Sequence, residues 1–228
     1  MKNPWVIVLV VAIILIGGSV WYSKGVTTEN NVGITFTPHT KGNIEATVTL
    51  TEYSDLQCPA CASFQPILAE VMTEFGADLK LEYKHFPLPI HPFAEPAARA
   101  AEAAGQQDAF FAFHDKLFQE QAIWSRTANP TVSFVKYAEE LGLDVDIFKR
   151  HMNASLIRDK VRAEGKEARE KGLTGTPSFF LNGERMSFES FEDFKNQIAL
   201  KLNPQVDFTI GGEAATGEVE GPAVQFGI

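Results

Sequence analysis

The sequence predicts an α/β fold with a block of helices inserted between its strands and one apolar helix ahead of it. Three observations carry this reading. Ile44, Ala46, Val48 and Leu50 alternate with Glu45, Thr47, Thr49 and Thr51, the period of a half-buried strand. Phe64, Ile67, Leu68, Val71, Met72 and Phe75 then recur at steps of three and four, the stripe of an amphipathic helix. Residues 93–172 carry no strand signal, after which strand character returns at Ser178–Leu181.

At the amino terminus a hydrophobic run extends from Trp5 to Tyr22. As a helix it would be roughly 27 Å long, close to a hydrocarbon core of ~30 Å. Trp5 at one end and Trp21-Tyr22 at the other resemble interfacial belts, and no Ala-x-Ala-like cleavage site closes the run. The expectation is therefore an uncleaved single-pass anchor at 5–22 rather than a removed signal peptide. Residues 1–4 would be cytoplasmic and the remaining chain outside, in the periplasm or on the outer face of the cell membrane. Residues 23–42 read as a stalk, with Val32, Ile34 and Phe36 alternating as a short added strand. The catalytic domain is expected over 43–211, with its insertion at about 93–172, followed by a flexible tail over 212–228.

Within the domain, Gly76 suits a helix C-cap and Leu79, Leu81 and Tyr83 mark the next strand. Phe86–Pro92 holds three prolines and leaves the sheet; His85 and His91 border this turn and receive no role. Ala97–Ala104 is strongly helix-forming, and Phe110, Phe111, Phe113, Leu117 and Phe118 mark the next helix, with His114 among them as a structural residue. Asn129-Pro130 reads as cap and first position of a helix ending near Gly142, and further helices are expected over 144–151 and 155–171. Ser178–Leu181, the turn Asn182-Gly183 and Arg185–Phe188 form a hairpin, Ser190 caps a final helix through Leu202, and Val206, Phe208 and Ile210 alternate as an added strand.

The two cysteines of the chain, Cys58 and Cys61, lie where the first strand hands over to its helix. Pro59 suits the first helical position, which makes Cys58 the cap. Free backbone N–H groups and the positive end of the helix dipole there favour thiolate, the nucleophilic form. Cys61 is one turn on, within reach of a mixed disulfide at Cys58. A structural disulfide closing so small a loop would stabilise little. Structural zinc would need a second ligand pair, and copper carriage nearby methionines, and the sequence offers neither. Redox chemistry is the reading that remains strongest. Continued alternation from Leu50 puts Glu52 on the core side, where an ionised carboxylate is expensive unless paired. The alternative is a strand that ends by Thr51, with Glu52 in water. A net charge of −9 gives no footprint for nucleic acid.

Cys-Pro-Ala-Cys-Ala-Ser-Phe-Gln-Pro, with Pro66 five residues after Cys61, resembles the start of the active-site helix of the thioredoxin superfamily. Gly175-Thr176-Pro177-Ser-Phe-Phe-Leu-Asn-Gly183 is similar to that superfamily's cis-proline loop and following strand. Between them, Phe86–Pro92, Ala97–Ala104 and Phe113–Phe118 resemble the DsbA-like branch, which carries a helical insertion. The resemblance covers about residues 47–202. It implies a thioredoxin-like fold and a thiol–disulfide oxidoreductase with Cys58, Cys61 and Pro177 in the active site. It also implies Glu52 as the buried acid that handles protons, and client contacts at Thr176 and at the intervening Pro59 and Ala60. No cofactor or metal is implied. The expected partners are reduced or misoxidised exported proteins, a membrane or exported redox partner that recycles the pair, and the bilayer through the N-terminal helix. Introduction of disulfides is the leading direction. A reductase or isomerase stays open, because Pro-Ala lacks the histidine of the strongest oxidants and Thr176 resembles isomerase-like relatives. A non-enzymatic metal-carrying or client-holding module is the third reading.

Overall fold

A computed structural model describes residues 4–204. Its elements in order are α1 (Pro4–Asn30), β1 (His39–Gly42), β2 (Val48–Ser54), α2 (Pro59–Phe75), β3 (Leu79–His85), α3 (Ala94–Gly105), α4 (Phe110–Gln119), α5 (Gln121–Trp124), α6 (Pro130–Glu140), α7 (Val145–Met152), α8 (Ser155–Glu170), β4 (Ser178–Leu181), β5 (Glu184–Arg185) and α9 (Phe191–Leu202). The five strands form one sheet in the order β1-β3-β2-β4-β5. Six helices, α3–α8, stand between β3 and β4, which is the expected insertion.

The expected membrane span is corrected. Residues 4–30 form one 27-residue helix, but no helix among the described residues is long and apolar enough to cross a membrane. The physical reason lies in its composition. The unbroken apolar part, Trp5–Ile16, would be about 18 Å long, well short of ~30 Å. Gly17-Gly18-Ser19 follows, and the Ser19 hydroxyl donates to the Ile16 carbonyl at 2.8 Å. The single-pass membrane localisation expected from the sequence rested on that span and falls with it.

Three strand boundaries also move, the hairpin's second strand being Glu184–Arg185 rather than the expected Arg185–Phe188. The first strand was expected from Ile44, yet β2 begins at Val48 and runs through Glu52 to Ser54. Asn43 explains this. Its side-chain oxygen accepts the Glu45 N–H at 3.0 Å, and its own N–H goes to the carbonyls of Gly76 and Leu79 at 2.9 and 3.1 Å. The resulting turn leaves Ile44 64% exposed. Val32–Phe36 makes no strand, because side chains take its backbone groups: His151 bonds the Val32 carbonyl and Gln106 the Thr35 N–H. The short edge strand forms instead at His39–Gly42.

The chain divides into two compact units. One comprises Thr40–Glu52, Pro66–Glu82 and the described residues from Ser178 onward. Its core is built from Val48, Leu50, Leu68, Val71, Leu79, Leu81, Phe179, Phe194 and Ile198, all buried. Phe194 meets Phe179 and Phe188 with ring centroids 4.9 Å away in each case. In its hairpin, Phe180 pairs with Arg185 and Leu181 with Glu184, antiparallel. Asn182 and Gly183 make the turn with φ of 50° and 82°, the left-handed pair that a two-residue connection of this twist requires. Ser190 caps α9 by accepting the Asp193 N–H at 3.1 Å. Residues 206–210 and the tail over 212–228 lie outside the described residues.

The other unit comprises the described residues up to His39, Tyr53–Gln65 and Tyr83–Pro177. Its core joins both cysteines and Leu56 to Phe113, Leu117, Trp124, Phe134, Phe148 and Ile157 from the inserted helices. Capping follows the sequence. Asn129 accepts the Thr131 N–H at 3.2 Å, and Asp144 accepts those of Asp146 and Ile147 at 3.0 and 2.9 Å. His114 packs edge-on to Tyr83 and Phe118, centroids 4.9 and 4.8 Å away, consistent with a structural residue.

Candidate active site

Cys58 stands at the amino end of α2. Its carbonyl accepts the Ala62 N–H at 3.2 Å, the first turn of the helix, and Pro59 occupies the first helical position with no N–H to leave unpaired. The Cys58 residue is 7% exposed and Cys61 is fully buried, and both are free thiols. Pro59 is exposed and Ala60 half-buried beside them.

Thr176 and Pro177 come from the far end of the same unit. The bond between them is cis, and the Thr176 carbonyl lies 3.4 Å from Cys58 Sγ, accepting from the thiol. Both residues are half-buried. The Cys58 thiol is pulled down from 9.0 to about 5. A hydrogen bond from the Cys61 thiol is the largest single cause, burial opposes it, and the Thr176 hydroxyl and the N–H groups of Cys61 and Ala60 add to it. The hydroxyl is available for that purpose, since Thr176 Oγ1 is buried with no other partner among the described residues. At neutral pH Cys58 is therefore a thiolate, ready either to attack a disulfide or to leave from one.

The connection that carries the cysteines is held by side chains that the sequence did not single out. The Asp55 N–H donates to Cys61 Sγ at 3.5 Å, while its carboxylate accepts the N–H groups of Gln57 and Leu88 at 2.7 and 2.9 Å. Gln57 Oε1 accepts the Phe93 N–H at 2.6 Å. From α5, the Gln121 amide donates to the carbonyls of Leu56 and Cys58 at 2.8 and 3.0 Å. The Asp-Leu-Gln tripeptide is the local sign of such a turn, the aspartate bonding the N–H two residues on. No sequence sign points to Gln121, more than sixty positions away.

Glu52 is 1% exposed, so the inward alternation continues past Leu50. It belongs to the other compact unit, whereas Cys58, Cys61, Thr176 and Pro177 share one.

Among the described residues, His85, Glu102 and Glu164 place ligand atoms within 4.8 Å of one another, a spacing compatible with a metal ion. The cluster already holds a cation of its own. Lys160 Nζ lies 2.7 Å from a carboxylate oxygen of both Glu102 and Glu164, and that Glu102 oxygen also accepts from His39 and His85 at 2.8 and 3.0 Å. Burial pushes the Glu102 carboxyl up, but the two histidines and the lysine outweigh it and hold it well below the usual range. For Lys160 burial works downward, and the two carboxylates outweigh it in the opposite direction.

Comparison with known proteins completes the description. A family model described as thioredoxin matches residues 34–199. The chain is 38% identical over 148 residues to a Na(+)/H(+) antiporter, NhaA 1 of Salinispora arenicola, across 64% of this chain and 22% of the antiporter. It thus spans about a fifth of the length of the curated relatives it matches. A thioredoxin-like oxidoreductase from Silicibacter pomeroyi DSS-3 superposes with a TM-score of 0.61 at 25% identity, covering 72% of this chain and 91% of that one. The alpha-DsbA1 protein of Wolbachia pipientis shares the fold with a TM-score of 0.64 at 21% identity, over 77% and 96% of the two chains.

Proposed function

The chain belongs to the thioredoxin family; from that premise we propose that it is a thiol–disulfide oxidoreductase of the DsbA-like kind and works as an oxidant, introducing disulfides into client proteins through Cys58 and Cys61. The observation that carries the direction is the Cys58 thiol at about 5. A thiolate stabilised in the dithiol form makes that form the low-energy one, so the disulfide form gives up its bond readily.

In this reading a client thiolate attacks Cys58 Sγ in the oxidised pair. The Cys58–Cys61 bond breaks, and Cys61 leaves with the electron pair and takes up a proton. A second client thiolate then attacks the client sulfur of the mixed disulfide, and Cys58 leaves as a thiolate. The client dithiol has lost two electrons and the pair has gained them. A partner that accepts two electrons must then restore the disulfide.

Thr176 beside the Cys58 sulfur, together with Pro177 and the exposed Pro59 and half-buried Ala60, is the proposed docking place for an extended client segment. Glu52, buried and six residues before Cys58, is proposed to exchange the proton that Cys61 gains or loses. Oxidation of a reduced, unfolded two-cysteine peptide by the pre-oxidised chain tests the direction. Stoichiometric disulfide formation supports the oxidant. Inertness towards the dithiol, together with rapid reduction of the peptide disulfide by the dithiol form, would make it a reductase.

A further inference from the structure

The mechanism above leaves one buried acid and one histidine beside the cysteines unused. Asp55 is fully buried at its side chain, and His91 is 18% exposed. His91 Nδ1 lies 2.8 Å from Asp55 Oδ2, the same oxygen that accepts the Leu88 N–H. Asp55 Oδ1 takes the Gln57 N–H, and the backbone N–H of Asp55 itself points at Cys61 Sγ. One residue thus offers its main-chain donor to the buried sulfur while its side chain is fixed by three donors.

We propose that Asp55 and His91 form a positioning dyad for Cys61, in which His91 fixes the Asp55 carboxylate and so aims the Asp55 N–H at the sulfur as it becomes a thiolate. The inference rests on the oxidoreductase reading but not on its direction. When the client opens the disulfide, Cys61 is the leaving group, and a donor aimed at it stabilises the charge it acquires. In the reverse step the Cys61 thiolate attacks the mixed disulfide, its bond to Cys58 forms as the client sulfur leaves, and the same donor favours the ionised nucleophile. A buried sulfur has no water to do this, and desolvation alone would keep it a thiol. The structural alternative is that the dyad merely ties the Phe86–Pro92 loop to the end of β2.

The groups around the dyad define what else could act on it. His91 also lines a cleft of about 360 Å³ whose charged residues are Glu95, Arg162 and Arg169. Glu95 and Arg162 pair with each other at 3.0 Å. His91 is thus the group of the dyad nearest solvent, and with Nδ1 committed to Asp55 its tautomer is set by that bond.

The test replaces His91 and leaves the Asp55 charge in place, since removing that charge would itself alter the Cys61 thiol. In the full chain with Cys58→Ala, Cys61 is the lone thiol, and its alkylation rate against pH reads its ionisation directly. His91→Phe is expected to raise the alkylation midpoint and, in the two-cysteine chain, to slow opening of the disulfide by reduced glutathione about threefold to tenfold, the effect of one net hydrogen bond. His91→Gln, which can still donate to Asp55, is expected to restore most of both. A lower melting temperature in His91→Phe with an unchanged Cys61 midpoint and rate overturns the proposal, as does failure of His91→Gln to restore either readout. Should the phenylalanine variant not fold, His91→Ala carries the same comparison. If the unsubstituted chain exchanges no disulfide with glutathione, the oxidoreductase reading fails, while the Cys61 midpoints still decide the dyad.

Discussion

Removing the Cys61 side chain is the sharpest single perturbation of this site, because its hydrogen bond is the largest cause of the Cys58 ionisation. The shift from 9.0 to about 5 corresponds to roughly 5 kcal/mol of preference for the thiolate, an upper figure before solvent screening at the 7% exposed residue. A hydrogen bond to a charged group contributes about 1.5–3 kcal/mol, and a thiol is a weak donor, so the lower end applies. Cys61→Ala should therefore move the Cys58 midpoint upward by about one unit, to ~6. Alkylation rates measured from about pH 4 to 9 on the unsubstituted chain and the variant read both midpoints. In the unsubstituted chain the first sulfur labelled should be Cys58, identified by peptide mapping. The variant should also accumulate mixed disulfides with clients, which Cys58→Ala should not form. An unchanged midpoint in Cys61→Ala would assign the shift to the helix end and Thr176 instead. Labelling of Cys61 ahead of Cys58 would refute the assignment of roles.

Two further outcomes follow from the buried acids. Glu52→Gln keeps the shape but cannot exchange a proton, so the half-step in which Cys61 attacks the mixed disulfide should slow by ~10²-fold while attack by Cys58 changes much less; stopped-flow kinetics of the two half-steps would contradict this by showing equal slowing or none. Glu102 is ionised more readily in the folded chain than in the unfolded one, so its contribution is complete above the unfolded value of about 4.3 and is lost as pH falls through the lower folded value. Lys160→Met removes the ammonium from two carboxylates, one of them fully buried, and should cost about 3–5 kcal/mol at pH 7, with the deficit shrinking as Glu102 protonates in acid. Melting temperatures against pH check both the size and the sign, and a deficit that grew on acidification would contradict the account.

The cysteine pair, the helix behind it and the return to strand at Ser178 were legible because each rests on local periodicity or on a short motif. Two of the three boundaries that moved did so where a side chain outbid the pattern. Asn43 turned the backbone just before a run that still alternates on paper, and Gln106 and His151 claimed the backbone groups of Val32–Phe36. The apolar run at the amino terminus was read for its total length, although Gly17-Gly18-Ser19 interrupts it. Glu102 lay in plain view among alanines. With Ala97, Ala98, Ala100, Ala101, Ala103 and Ala104 all buried, the helix is enclosed on most sides and its carboxylate has to be inside too. What periodicity cannot supply is the partner of such a group. Lys160 lies 58 positions away from Glu102, as Gln121 lies 63 from Cys58.

The reduction potential of the Cys58–Cys61 couple tests the central claim most directly. Lowering the Cys58 thiol from 9.0 to about 5 stabilises the dithiol form at pH 7 by at most about 2.7 kcal/mol, equivalent to about 60 mV for two electrons. Equilibration of the full chain with glutathione redox buffers at pH 7 should thus place the couple above thioredoxin's value of about −270 mV, by up to about 60 mV, towards about −210 mV. It should also become more oxidising as pH falls from 9 towards about 5 less steeply than a pair of ordinary thiols, because Cys58 releases no proton on oxidation in that range. A couple at or below about −270 mV would contradict the account, since such a pair donates electrons to clients rather than taking them.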